Sequence, residues 1–298
     1  MINFTGCRII PGRAYNGANG SKIAVRYQNV VYMLKFPPSA AGKPTELSYT
    51  NGCISEHIAS SIFNLIGIPA QETMLGVYTV NGREKLVCAC KDFTVENKRF
   101  FDFCSIKNTV LDSDSNGTGT ELSDVMDAID KQQYVSPAFL KKHFWDVFIV
   151  DALLGNFDRH NGNWGFLYDE STDTASVAPV FDCGSCLLPQ ADDRIMRQVL
   201  SDEAELNARI FQFPTSALKL NGRKINYFDF ITKENQPDCN AALLRIFPRI
   251  DLKAIHSFID SAEGLTDLQR SFYKSYIQAR YDRILVPGYS RITLKLKM

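Results

Sequence analysis

The chain has 298 residues, 45% apolar and 22% charged, enough for one large domain or two lobes with a sizeable core. Its formal net charge is zero, so bulk electrostatics give no reason to expect nucleic acid as a partner. The start "MINFTGCRIIPGR" lacks a charged leader and long apolar run, and no stretch reaches the ~20 apolar residues of a spanning helix; neither Sec export nor stable membrane insertion is expected.

In chain order, "KIAVRY" and "VVYMLKF" flank the turn-forming Gln28-Asn29 and predict a hairpin. From Cys53 to Leu65, apolar Ile54, Ile58, Ile62 and Leu65 fall on one helix face, with Gly67 and Pro69 as the stop. "TMLGVYTVNGREKLVCAC" predicts a second hairpin turning at Asn81-Gly82. After Cys90 the composition changes, and "DSDSNGTGTE" reads as a turn-rich surface segment. Ser136-Pro137 supplies a cap and a first-turn proline for a helix. From Phe144 to Leu154 only Asp146 and Asp151 interrupt the apolar residues, so this helix should be buried nearly all round. Further helices are expected at 192–209, 239–247, 251–262 and 267–284, the last with a Thr266/Gln269 capping box. The sparse basic tail "RITLKLKM" reads as a polar end strand or frayed terminus. The whole is an α+β chain with a small strand-rich N-lobe (1–92) and a larger, mostly helical C-lobe (93–298).

Eight cysteines at this length suit reduced, structural thiols, although Cys88-x-Cys90 and Cys183-x-x-Cys186 are the pairs to inspect. No third and fourth ligand stands at zinc spacing beside either pair. His57, His143 and His256 lack partners at useful spacing and read as structural or exposed. The chain reads as a cytoplasmic-type soluble protein, with delivery outside the cell by a non-Sec route left open.

The chemistry gathers in "LLGNFDRHNGNWGF". Asn156, Asp158, Arg159, His160 and Asn163 follow the buried helix, and "VAPVFDCGS" places Asp182 shortly afterwards. If "WGFLY" and "VAPVF" pair, Asn163 and Asp182 meet at one edge of a hairpin, where two oxygens could share a magnesium ion. Asp158 would stand beside that ion to orient or deprotonate a hydroxyl, His160 and Asn156 would brace the loop, and Arg159 would be solvated or contact a phosphate on the protein itself. Lys35, mid-strand among apolar residues, needs an anion; Glu56 on the following helix is the best partner, off the isoleucine stripe and not required to be buried, with Glu46 the alternative. "NGANGSK" offers Gly17, Gly20, Ser21 and Lys22 as a turn that could cradle phosphates, although its spacing is not that of a P-loop.

"GNFDRHNGN" with "FDCG" resembles the HipA-like Ser/Thr kinases, and the resemblance spans roughly residues 12–190 through "NGANGSK", "MLKF" and "SEHIASSIFNLIGIPAQET". It implies a bilobal protein-kinase-like fold, ATP and Mg²⁺ as cofactors, and a protein substrate, with autophosphorylation. Asp158 would be the catalytic aspartate, with His160 beside it; Asn163 and Asp182 would be the metal ligands and Lys35 the nucleotide lysine. The same pairing of motifs is similar to phosphoinositide kinases, which keeps a lipid acceptor as the alternative. A catalytically silent nucleotide-binding protein is the alternative of another class. The stretch from Cys183 to Glu205 holds five acids against two arginines, which suits a neutral or basic peptide better than an anionic headgroup.

Overall fold

The computed structural model describes residues 1–13, 15, 21–37, 50–95, 97–111, 116–233 and 236–295. The N-terminal strands are β1 (Ile2–Asn3), β2 (Arg8–Ile9), β3 (Lys22–Tyr27), β4 (Val30–Lys35), β5 (Thr73–Val80) and β6 (Arg83–Lys91). They form one sheet in the order β1-β5-β6-β4-β3-β2, antiparallel apart from the β1–β5 pair. Both expected hairpins are present. Gln28 and Asn29 have φ of 48° and 63°, and Asn81 and Gly82 51° and 75°; such left-handed pairs match the twist of the flanking strands.

Period-two alternation sorts this sheet into two faces. Val25, Leu34, Val87 and Ala89 join Phe4 and Phe36 in a small core on one side. Met33, Cys88 and Cys90 face the other way, where α1 (Gly52–Leu65) presents Cys53, Ile54, Ile58 and Ile62. Lys35 is opposite Cys88 in the register and shares this second face, so the strand aims its ammonium beneath the helix.

The C-lobe is built around α4 (Pro137–Leu154), whose last eleven residues are all buried. Around it lie α2 (Phe103–Leu111), α3 (Leu122–Lys131), α5 (Asp193–Ser201), α6 (Glu203–Phe211), α7 (Tyr227–Thr232), α8 (Pro237–Ile246), α9 (Leu252–Ser261), α10 (Asp267–Arg280) and α11 (Val286–Lys295). The sheet β7 (Lys98–Asp102), β8 (Gly165–Asp169), β9 (Thr174–Val177) sits at the cleft side, and a short ladder joins β10 (Lys219–Leu220) to β11 (Arg223–Lys224). The expected small strand-rich lobe and larger helical lobe are therefore the observed architecture. Among the described residues no helix is long and apolar enough to cross a membrane.

Three local expectations change. The helix expected over 192–209 is two, because Asp202 is extended (φ −123°, ψ 113°) and its carboxylate caps the second by accepting from Ala204 N. Ser136 makes no side-chain cap bond, whereas Thr266 and Gln269 do form the capping box. The basic tail is helical through Lys295, reached from α10 by a wider turn over Tyr281–Leu285. Pro287, with no N–H to give, follows that turn, which loosens the ladder where an α-helical bond would be missing.

The lobes are joined by backbone as well as by the chain crossing after β6. Val180 N donates to Pro69 O (2.9 Å) and Gln71 N to Val180 O (2.8 Å), so the stretch leading into Asp182 is hydrogen-bonded directly to the N-lobe. This alters the expected hairpin: β8 pairs with "TASV" up to Phe166–Val177, Ala178 N still donates to Gly165 O (2.9 Å), and residues 179–181 leave it to cross to the other lobe.

Candidate active site

A cleft of about 820 Å³ lies between the lobes, and Lys22, Lys35, Glu56, Asp158, His160, Asn163 and Asp182 all line it. At its centre Lys35 Nζ donates to Glu56 Oε2 (2.8 Å) and to Asp182 Oδ1 (2.9 Å). Burial alone would pull the Lys35 pKa down, but the Asp182 and Glu56 carboxylates hold it well above the usual lysine range. Reciprocally, the Lys35 charge outweighs burial and holds Asp182 down to about 2. Glu56 is the expected partner of Lys35, yet it is fully buried, contrary to its reading as a residue that could stay outside the core. Its Oε1 has no hydrogen-bond partner among the described residues. Glu46, Gly17 and Gly20 lie outside the described residues.

Asp182 has φ of 54°, a left-handed backbone that is uncommon for a residue other than glycine and turns its carboxylate toward Lys35. Lys22 begins β3 directly opposite Lys35. Burial and repulsion from Lys35 lower the Lys22 pKa, as two ammonium groups facing one cleft require. Ser21 is exposed, and its carbonyl accepts from Phe36 N (3.0 Å), fixing the return of the loop onto the sheet.

The loop after α4 is held from below. Gly155 ends the helix with φ of 65°, and a Cβ there would stand 2.2 Å from Tyr276 Oη, so only glycine fits. Asp151, on the last turn of α4, accepts from Asn156 Nδ2 (2.8 Å) and Arg159 Nε (3.1 Å). Asn156 Oδ1 in turn accepts from Asp158 N (3.0 Å), and Tyr227 Oη donates to Asn156 O (2.6 Å). Arg159 Nη1 donates to Asn163 O (3.2 Å) and also to Phe181 O, so a single guanidinium ties the loop to the segment that carries Asp182. The side chain is 8% exposed, which corrects both readings of Arg159 as a solvated cation or a phosphate contact. Burial would lower its pKa, but Asp151 keeps it well above the ordinary value.

Asp158 itself is half-buried, and burial raises its carboxyl above the usual range against the opposing pull of His160. His160 is exposed; its Nδ1 accepts from Gly162 N (3.0 Å) and braces the turn. Asn163 Nδ2 donates to Asp158 O (2.8 Å), which leaves Oδ1 as the side-chain oxygen free to face a ligand.

These donors fit one hard cation. Lys35 and Lys22 face the Glu56, Asp182 and Asp158 carboxylates across the cleft, and the Asp182 side chain stays partly open to it. Among the described residues no cluster of three His, Cys, Asp or Glu could hold a metal alone, so an ion at Asn163 and Asp182 would take its other ligands from water and phosphate, as magnesium does. A second, mostly apolar pocket of about 30 Å³ lies behind Asn163, far smaller than the cleft.

Sequence reasoning missed several members of this arrangement. Phe93, Phe100 and Phe181 line the cleft as a cluster of edge-to-face and tilted rings with centroids 5.2–6.0 Å apart, a surface suited to a planar base. Asn161 donates to Gly117 O (2.7 Å) and Gly119 O (2.8 Å), and Asp102 lines the cleft while capping α2 through Ser105 N (2.7 Å). Asp151 alone left a signal: an acid inside an otherwise apolar helix must find a partner. The cysteines form no disulfide; Cys88 and Cys90 Sγ lie 3.8 Å apart, and Cys183 Sγ accepts from Arg159 Nη2 (3.4 Å).

The HipA-like C-terminal domain family matches residues 16–253. A curated protein of Helicobacter pylori strain J99, serine/threonine-protein kinase CtkA, is 49% identical over 291 residues, 97% of this chain and 88% of its own length. The crystal structure of the H. pylori proinflammatory kinase CtkA superposes with a TM-score of 0.93 at 48% identity, covering 100% of this chain and 99% of that one. HipA of Shewanella oneidensis MR-1, solved with HipB and operator DNA, shares the fold with a TM-score of 0.52 at 17% identity, over 95% of this chain and 69% of that one. The family match over most of the length and the extent of the curated likeness agree with the cleft geometry: this chain belongs to the HipA-like serine/threonine-protein kinase family.

Proposed function

We propose that the protein transfers the γ-phosphoryl group of ATP to serine or threonine hydroxyls of a protein substrate, with residues 1–92 as the nucleotide lobe and 93–298 as the catalytic lobe. The observation that carries this is Lys35 Nζ held at 2.8 and 2.9 Å between Glu56 and Asp182, in a cleft that Asp158 and Asn163 also line. Lys35 and Lys22 offer positive charge to the nucleotide phosphates, and Glu56 keeps the Lys35 ammonium aimed at them. Asn163 and Asp182 would hold magnesium, which when bound neutralises charge on the phosphate oxygens. Asp158 orients the acceptor hydroxyl and takes its proton as the new oxygen–phosphorus bond forms and the bond to the ADP oxygen breaks. The curated relative's designation as a serine/threonine-protein kinase supports a protein acceptor. So does the acidic balance of the Asp192–Glu205 surface.

Incubation with magnesium, labelled ATP and a basic protein should label serine or threonine, and Asp158→Asn should abolish it. Preferential labelling of phosphoinositide vesicles that disappears in Asp158→Asn would overturn the choice of acceptor. Autophosphorylation belongs to the same proposal. A phosphate on Ser21 would bring nearly two negative charges to the edge of the phosphate-facing loop and weaken ATP binding. Mass spectrometry of an active sample shows whether Ser21 is modified.

A further inference from the structure

Asp92 is the first residue after β6, where the chain passes from one lobe to the other, and it is only 5% exposed. A carboxylate that deep needs donors, and it has four. Its Oδ1 accepts from Thr94 N (2.7 Å) and Thr94 Oγ1 (2.6 Å). Its Oδ2 accepts from Tyr15 Oη (2.7 Å) and from Arg13 Nη1, while Arg13 Nη2 reaches Thr94 O (2.8 Å). Asp92 N donates to Val31 O (2.9 Å) on β4, the strand that ends in Lys35. Arg13 and Tyr15 lie on the outgoing limb of the connection between β2 and β3, which ends at Ser21 just before Lys22 opens β3. Gly12, Arg13, Tyr15, Asp92 and Thr94 all line the cleft.

We propose that Asp92 is a positioning residue for the nucleotide: it clasps Arg13 and Tyr15 and so fixes this outgoing limb to the lobe crossing before ATP arrives. The inference rests on the cleft being the nucleotide site. On the outgoing limb the backbone bonds Ile10 N to Ala24 O (2.9 Å) and Arg13 N to Ile10 O (3.3 Å) start the path, and the side chains of Arg13 and Tyr15 carry the anchoring to Asp92. Charge-assisted bonds to a buried carboxylate are the strongest anchors available, and Arg13 adds a planar two-armed grip. Burial and the Asp92 charge also raise the Tyr15 phenol, which keeps its hydroxyl a donor. Ordering the outgoing limb in advance removes that cost from binding, so the clasp should act on ATP affinity rather than on the chemical step.

Asp92→Asn keeps the shape but replaces one acceptor oxygen with a donor, so it cannot serve all four partners. ATP KM and the calorimetric Kd for magnesium-ATP should rise roughly tenfold or more, with kcat changed less than about threefold. Without nucleotide, amide exchange at Arg13 and Tyr15 should quicken in the same variant. Arg13→Gln and Tyr15→Phe, which leave the Thr94 bonds intact, should each raise KM by less, and should add little to Asp92→Asn. These milder variants serve if Asp92→Asn fails to fold. Wild-type ATP affinity in all folded variants, or unchanged exchange without nucleotide, overturns the clasp and leaves the kinase reading standing. Absence of ATP binding by the wild type overturns the kinase reading itself, and the clasp's nucleotide role with it.

Discussion

Two sets of buried charges meet at the catalytic loop, and they are built on opposite plans. In the cleft, Lys35 bridges Glu56 and Asp182, and Asp182 is still partly open to the cleft, its side chain 40% exposed. Beneath the loop, Arg159 and Asp151 are 8% and 2% exposed, and Asn156 and the backbone around them take up the remaining bonds. The first set is open on one side and can exchange partners when a cation and phosphates enter. The second is satisfied within itself and has nothing to offer a ligand. The same residue types therefore serve chemistry where they are left open to a ligand and architecture where they are closed off from one.

That contrast can be broken by substitution. Asp158→Asn, in the open set's cleft, should lower transfer by about 10²–10⁴-fold while the melting temperature stays near wild type, read by steady-state assay and calorimetry. Arg159→Ala should do the reverse in kind: it leaves Asp151 buried without its cation and should cost about 3–5 kcal/mol of stability, measured by denaturant unfolding. The double variant Asp151→Ala/Arg159→Ala should lose less than the sum of the two single changes, because no orphaned charge remains. Additive losses would mean that the pair is not a closed unit.

A third environment sharpens the comparison through pH. His57 on α1 bonds Thr73 Oγ1 (2.9 Å), and burial lowers its pKa from 6.5 to about 4. The unfolded chain takes up this proton first, so stability is kept above about pH 6.5 and falls as pH drops toward 4. The loss should be about 1–3 kcal/mol, and His57→Gln should flatten that part of the stability–pH curve. The smallest effect belongs to a control remote from both sets. Thr266→Ala removes the α10 capping box and should cost about 1 kcal/mol with transfer rates unchanged.

How much of this was legible follows the same division. Lys35 could be picked out as a lysine among apolar strand residues, although it ends β4 rather than lying mid-strand, and Glu56, Asp158, Asn163 and Asp182 because each stands at a turn, a strand end or a helix start with a charge or amide that its surroundings do not explain. The structure brings all five to one cleft. Arg159 was misread because its partners are scattered along the chain: Asp151 eight residues before it, and Phe181 and Cys183 well after it. A lone sequence shows that an arginine is charged, but not that the fold closes over it. The 192–209 break was hidden for a related reason. Asp202 is compatible with a helix interior by propensity, and only its role as a cap for the next helix ends the first.

The backbone bonds between Val180 and Pro69–Gln71 restrict how the lobes can move. The chain crossing at Asp92 is a second tie, and Asn51 N to Pro189 O (3.1 Å), Arg249 Nη2 to Gly67 O (2.8 Å) and Gln269 Nε2 to Asn51 Oδ1 (3.1 Å) add others. A body fastened at so many places has little freedom to turn as a whole. Nucleotide entry and product exit should therefore depend on local movement at the rim of the cleft, with Asp182 and Asp92 held nearly still beside their ties.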